Sequence, residues 1–540
     1  MKIAYVQMKV AAGHPDLNTK KILHFIGAAR AQSADVVIFP EFAISGRMIG
    51  NTWQQKSFRH ECKAYADELA AHTENIIAIY DGQLFTDGKK FFYVAQDGNF
   101  IEPNKFKIRD KLYRFDCLSG DEALRRNSDF SIKFSSEPFS LSKNFFAGNG
   151  RPMIRVGAVG IQNTGKTVYT FDGGSAVLNS RGEVVQRAEP FAEGMNVIDF
   201  DAIDKMPVLE PETVTEAEKI YRAVNYGVKN FLEQIGMKKV VVGVSGGIDS
   251  AVAAALYVDV LGAENVYLVN MPSRFNSATT KNLSEQLAKN LGCKYFVVPI
   301  QESVDWTVKQ LEGVGLNVSN FVRENIQARD RSSRILAAIA ATYGGGFTCN
   351  ANKAESTVGY ATLYGDEAGF LSALADLWKF QVYALAHHLN EKIFCREVIP
   401  QGIIDIVPSA ELSTAQNVDE GKGDPLKYLY HDYLLRAFVE RDLTPEDILT
   451  LYNAGTLEEN IGCERGIVKK YFATAQEFID DLERWWKQFT GMGVAKRIQS
   501  PPILAVTDKP FGARHESQNG WHFTRDYLAL KDSLLGGQCL

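Results

Sequence analysis

The stretch that most constrains this chain is residues 240–250, VVVGVSGGIDS. Val240, Val241, Val242 and Val244 make a nearly continuous apolar run, which reads as a parallel strand buried on both faces. Residues 245–250 are small, flexible and polar, and residues 251–260 (AVAAALYVDV) read as a helix closed by the turn at 261–263. Strand, glycine-rich turn and helix, in that order, leave unpaired backbone N–H groups at a helix N-terminus. There the donors and the helix dipole together hold a phosphate. Gly246 and Gly247 allow positive φ and the close approach of an anion, and Ser245 and Ser250 add hydroxyl donors. Asp249 repels a phosphate unless a cation stands between them, so Mg²⁺ bridging the two is the economical reading. No lysine follows Gly247, which excludes the G-x-x-x-x-G-K-[ST] loop.

A chain of 540 residues is too long for one core, and two domains are expected. Residues 1–200 alternate strands and helices, with a buried strand at 34–41 that ends in Glu41. Residues 201–215 (DAIDKMPVLEPETVT) read as a linker, and residues 216–540 form the second domain. In it, residues 324–343 read as one long helix, with Gln327 and Arg331 a turn apart and able to grip phosphate and ribose. Residues 413–486 read as mostly helical, with Gly423, Asp424 and Pro425 as a helix start.

The net charge of −6 offers no surface for nucleic acid or an anionic membrane. Seven scattered cysteines without a C-x-x-C pair favour a reducing compartment over a zinc site or a disulfide framework. No apolar run approaches the roughly 18 residues of a membrane helix. Met1 and Lys2 lead straight into a strand without a secretory signal, so a cytoplasmic protein is expected.

The blocks at 245–250, 271–275 (MPSRF), 324–329 (ENIQAR), 352–355 (NKAE), 359–366 (GYATLYGD), 376–379 (DLWK), 408–412 (PSAEL) and 496–507 together resemble the NAD⁺ synthetases, which are ATP pyrophosphatases. The resemblance runs over roughly residues 216–515. The first domain resembles the nitrilase-like amidases through Gln7, residues 39–46 (FPEFAISG), residues 162–166 (QNTGK) and residues 171–175 (FDGGS). Fused in this order, the two resemble the glutamine-dependent form. The resemblance implies an α/β chain: a nitrilase-like α/β sandwich, then a doubly wound parallel sheet of the adenine nucleotide alpha hydrolase-like type. The block at 359–366 argues against GMP or asparagine synthetases, and the intact loop argues against a non-catalytic scaffold.

The implied reaction amidates deamido-NAD⁺. ATP adenylates the poorly electrophilic carboxylate with release of PPi, and ammonia then displaces AMP. By resemblance, Ser245, Gly246, Gly247, Asp249, Ser250, Asn350 and Lys379 contact ATP. Arg329, Lys353, Asp366 and Lys496 contact deamido-NAD⁺, and Asp249 and Glu355 hold Mg²⁺. Lys353 and Lys379 are both candidates to balance phosphate charge. Asn350 and Ala351 replace the family's Thr-Gly, so a hydroxyl contact to the nucleotide passes to Asn350 or is lost. A homo-oligomer is also implied.

In the first domain the family's triad maps onto Glu41 as general base, one of Lys105, Lys107 and Lys111 as oxyanion stabiliser, with Lys107 preferred, and Cys117 as nucleophile. Cys117 is followed by Leu118 and Ser119 where the family has Glu-Asp, and the stretch from Lys111 to Ser135 is shorter than the family's. Ammonium is therefore expected to support synthesis well and glutamine poorly or not at all, with the first domain kept for assembly or regulation.

Overall fold

The computed structural model describes residues 1–80, 105–108, 110–118, 128–135, 137–143, 150–512 and 520–536, together with the backbone of four strands between 83 and 100. The chain divides into two compact units. One comprises residues 1–164 and 168–215, the other residues 165–167 and 216–540.

The first unit is built on two six-stranded sheets. In one, the parallel strands Lys2–Gln7, Val36–Ile38 and Ile77–Tyr80 lie side by side, with Gly194–Asp199 antiparallel at one edge. Alternate side chains divide its faces. Ala4, Val6, Val37 and Tyr80 pack against the helices Pro15–Ala31 and Lys56–Ala71. Tyr5, Ile38 and Ile79 face the other way and meet Phe115, Phe130, Ile132 and Val156 of the second sheet in one aromatic-rich core. Both faces of these strands are thus apolar, which is why their sequences run continuously hydrophobic. In the second sheet Lys111–Leu118 pairs in parallel with Phe130–Ser135, and Phe130–Ser135 with Met153–Gly157. Parallel neighbours usually need a crossover of about a dozen residues or more. Only residues 119–129 connect the first pair, and most of them lie outside the described residues.

The expected linker is partly structured. Phe200–Lys205 forms a short helix that buries Ile203 in the first unit's core, and the division between units falls after Thr215.

The second unit holds a four-stranded parallel sheet in the order Lys294–Val297, Val266–Asn270, Val240–Gly243, Gly346–Phe347. Chain order reverses at the central strand, which puts a crevice beyond the carboxyl ends of Val240–Gly243 and Gly346–Phe347. The helix Ile248–Leu261 follows the central strand and is buried along nearly its whole length. The long helix expected at 324–343 is interrupted. Asn320–Arg329 passes through a wide π-type turn at Asp330–Leu336 into Ala337–Tyr343. C-terminal helices, among them Tyr428–Arg441 and Ala475–Thr490, enclose a separate core around Tyr430, Leu434, Phe478 and Trp485. No helix among the described residues is long and apolar enough to cross a membrane.

Candidate active site

A cavity of about 260 Å³ opens at the sheet's crevice. Its floor is the turn that follows the central strand. Gly246 has φ +89°, and a Cβ there would stand 2.4 Å from the carbonyl oxygen of Thr280, so only glycine fits. Gly247 caps the helix Ile248–Leu261 in extended conformation and provides no side chain to satisfy the first-turn N–H groups. The turn is braced from within: Ser250 Oγ donates to the Gly247 carbonyl (3.0 Å) and accepts from the Ser245 N–H (3.3 Å).

Ser245, Gly246, Gly247, Asp249, Ser250, Asn350, Lys379, Glu355 and Asp366 all line this cavity, so the tertiary fold brings together residues spread over more than a hundred positions. Its charged centre is a triad. Lys379 Nζ lies 2.5 Å from Asp249 Oδ2 and 3.9 Å from Glu355 Oε1. Burial works against the Lys379 charge, but Asp249 and Glu355 outweigh it and hold the ammonium protonated well beyond its ordinary range. Glu355 is pushed up to about 8 by burial and by Asp249, with Lys379 opposing. It is fixed from two sides. Asn352 and Glu355 form a capping box at the start of Lys353–Val358, and the Tyr428 hydroxyl donates to Glu355 Oε1 at 3.1 Å. The Lys379 ammonium also lies 4.7 Å from the centre of the Tyr428 ring.

Among the described residues no three acidic, His or Cys side chains converge as a metal-binding group. Asp249 and Glu355 make two carboxylates short of compensating charge, facing a cavity floored by phosphate-type donors. Hard oxygen ligands with room for phosphate oxygens and water suit Mg²⁺, so the residues present fit that ion.

Asn350 is partly committed: its Oδ1 accepts from Thr348 Oγ1 (2.8 Å) and its Nδ2 donates to the Gly243 carbonyl (3.3 Å). Thr348 itself lines the cavity, so a hydroxyl is present two residues before Asn350. Arg331 and Ser332 reach the wall because of the π-type turn. Arg331 donates to the Met271 carbonyl (3.0 Å) and Asn276 Oδ1 (3.2 Å), and burial pushes its guanidinium down to about 10. Gln327 turns away and donates to the Leu412 carbonyl at 2.9 Å.

Arg329 and Lys496 lie outside the wall but hold the segment that carries Asp366. Arg329 Nε donates to the Leu363 carbonyl (3.2 Å), and Lys496 Nζ donates to those of Gly359 (2.7 Å) and Ala361 (2.5 Å).

Lys353 is not placed to meet a ligand. It is fully buried, 2.8 Å from Asp376 and 3.2 Å from Glu440, and it donates to Thr507 Oγ1 (2.6 Å) and the Lys509 carbonyl (3.1 Å). Lys353 and Glu355 share the first turn of one helix, yet only Glu355 faces the cavity.

Sequence reading missed Asp424. Read as part of a helix start, it precedes the helix Tyr428–Arg441 and instead lines the cavity, accepting from the Ala410 N–H (3.0 Å) and the Tyr360 hydroxyl (3.1 Å). Nothing local to the Gly-Asp-Pro string marks that role.

Residues 220–461 match the family model described as NAD synthase. This segment is an NAD synthase domain. A glutamine-dependent NAD(+) synthetase of Xanthomonas campestris pv. campestris is 29% identical over 96% of this chain and 98% of its own length. One of Thermotoga maritima is 27% identical over 83% and 90% respectively. A crystal structure of a glutamine-dependent NAD(+) synthetase from Cytophaga hutchinsonii superposes with a TM-score of 0.74 over 99% of both chains, and at 14% identity it bears on the fold alone. The similarity extends beyond the NAD synthase domain to most of the chain, including the first unit.

In that first unit the expected triad is only partly assembled. Cys117 is close enough to Glu41 for the carboxylate to act on it. Burial, then Asp116 and Glu41, push the thiol up to about 12, the reverse of what activates a cysteine. Lys107 is not brought to Cys117. In the hairpin it pairs with Leu112, five positions before Cys117, or about 17 Å along the strand, and it is exposed beside Asp110 at 3.6 Å. Lys105 pairs with Arg114, and Lys111 bonds Asp201 at 3.1 Å.

Proposed function

We propose that this chain synthesises NAD⁺ by ATP-dependent amidation of deamido-NAD⁺. The observation that carries the reading is the floor of the cavity: a helix N-terminus with free donors, faced by the Lys379–Asp249–Glu355 triad. The turn at residues 245–250 binds the ATP phosphates and places the α-phosphorus beside the substrate carboxylate. Lys379 neutralises charge that grows on the departing pyrophosphate. Mg²⁺, held by Asp249 and Glu355, supplies Lewis-acid polarisation of the phosphates when bound. Arg329, Asp366 and Lys496 form the deamido-NAD⁺ side through the segment 359–366. The substrate oxygen attacks the α-phosphorus, PPi leaves, and ammonia then displaces AMP from the acyl carbon. No side chain forms a covalent bond in this unit.

Ammonia is the nitrogen donor that this unit uses directly. The relatives' names favour glutamine as its source, while the raised Cys117 thiol and the distant Lys107 favour weak glutamine use. One assay tests both points. Purified protein with ATP, Mg²⁺ and deamido-NAD⁺ should release PPi and form NAD⁺ with ammonium. Xanthosine monophosphate or aspartate in place of deamido-NAD⁺ should give no PPi. A parallel reaction with glutamine reads the first unit, and the absence of deamido-NAD⁺-dependent PPi would sink the proposal.

A further inference from the structure

Tyr428 touches two members of the charged triad, although it is not itself among the residues lining the cavity. It opens the helix Tyr428–Arg441, and that helix is tied to the residue after Lys379. One turn on, Asp432 accepts from the Phe380 N–H at 2.9 Å, and the Tyr433 and Phe380 rings stack with centroids 5.3 Å apart. Phe380 lies in the first turn of the helix Lys379–His388, so the starts of the two helices are locked together. The half-buried Tyr428 ring therefore has a fixed place beside the Lys379 ammonium, whose nitrogen is 4.7 Å from the ring centre.

Two donors compete for one atom here. Glu355 Oε1 accepts from the Tyr428 hydroxyl at 3.1 Å and stands 3.9 Å from Lys379 Nζ. A direct ammonium–carboxylate bond runs to about 2.7–2.9 Å. Lys379 makes its direct bond to Asp249 Oδ2 at 2.5 Å, and Asn352 Nδ2 donates to the other Asp249 oxygen at 3.3 Å. Glu355 Oε2 accepts from the Asn352 N–H at 3.3 Å, which leaves Oε1 as the oxygen that phenol and ammonium contest. A buried carboxylate oxygen that loses its donor turns to the nearest charge. Without the hydroxyl, Glu355 would close onto Lys379, and the three charges would neutralise one another instead of facing the cavity.

We propose that Tyr428 is a positioning residue for the adenylation step, its hydroxyl holding Glu355 apart from Lys379 so that the carboxylate stays open to Mg²⁺ and the ammonium to phosphate. The inference rests on the reading of the cavity as an NAD⁺-forming site. The hydroxyl is an outer partner of a metal ligand, and such partners orient the ligand and govern affinity for the ion. The ring takes a different part: it attracts the ammonium without a directed bond, so Lys379 keeps its place when the hydroxyl is removed.

Tyr428→Phe isolates the hydroxyl, because it deletes one oxygen and keeps the ring beside Lys379. Mn²⁺, which takes the same hard oxygen ligands as Mg²⁺, is titrated into the full-length protein without substrates, and the free ion is read by electron paramagnetic resonance. PPi release with deamido-NAD⁺ and ammonium is then followed against Mg²⁺ at saturating ATP. Tyr428→Phe should weaken Mn²⁺ binding about tenfold and raise the Mg²⁺ needed for half-maximal rate by about the same factor. Saturating Mg²⁺ should bring its kcat back to within about threefold of wild type, since the ion then competes Glu355 away from Lys379. In a Glu355→Gln background the same substitution should change Mn²⁺ binding by less than about twofold, because the contested carboxylate is gone. A merely structural role would lower stability and kcat without moving metal affinity. Unchanged Mn²⁺ binding in Tyr428→Phe, a rate defect that Mg²⁺ does not relieve, or an equal loss in the Glu355→Gln background would each overturn the proposal. A failure of the cavity reading looks different: wild type itself releases no PPi in response to deamido-NAD⁺.

Discussion

The two chemical centres of this chain surround their reactive groups in opposite ways. In the second unit Lys379 is buried with Asp249 at 2.5 Å and Glu355 at 3.9 Å, and a capping box and the Tyr428 hydroxyl fix the geometry. Opposite charges converge on a cavity. In the first unit Cys117 sits at the end of a core strand with Asp116 and Glu41 as the charges acting on it, and the cation expected to help it is about 17 Å away along the hairpin. The same low-polarity surroundings that strengthen the Lys379 cluster suppress the Cys117 thiolate, because burial favours charge only where the counter-charge is also present. A recognisable residue is therefore weak evidence for a working site until its partner is seen beside it.

The largest effect that can break this comparison is loss of a cavity carboxylate. Asp249→Asn and Glu355→Gln should each cut deamido-NAD⁺-dependent PPi release by about a thousandfold or more with the fold intact. Near-normal turnover in either would remove the triad from the mechanism.

Lys353 sharpens the contrast within one helix turn. Lys353→Met leaves Asp376 and Glu440 without their shared ammonium, and unfolding should show a loss of about 3–5 kcal/mol. A variant that unfolds like wild type but binds deamido-NAD⁺ poorly would return Lys353 to the substrate.

A smaller change is expected at the substrate side. Arg329→Ala should raise the KM for deamido-NAD⁺ about tenfold, near 1.4 kcal/mol, and leave that for ATP within about twofold. Equal changes in both would reassign Arg329 to the nucleotide.

The smallest effect tests the first unit directly. Cys117→Ala should leave ammonium-driven NAD⁺ synthesis within about twofold of wild type. Glutamine-driven synthesis should already be low in wild type, since a thiol raised to about 12 is almost entirely protonated at neutral pH. Robust glutamine use that disappears in Cys117→Ala would show that substrate binding reorganises Glu41 and Cys117 into an active pair.

What the sequence alone determined is local in origin. Four near-consecutive valines, two glycines and an alanine-rich run specify strand, turn and helix without help from distant residues, and Gly246 is the residue its φ of +89° requires. The apolar runs at 3–6 and 34–39 likewise dictate strands buried on both faces. What only the tertiary structure decided is which side chains face one another across pairings remote in sequence. Lys353 and Glu355 are two residues apart, but the helix turns one into the core and the other into the cavity. Asp424 looks like a helix start until the chain folds it against Tyr360. Lys107 lies ten residues before Cys117 in the sequence, and hairpin register pairs it with Leu112 rather than with Cys117. Direction, register and burial arise from packing the whole chain, and they set the charge state and reach of each group.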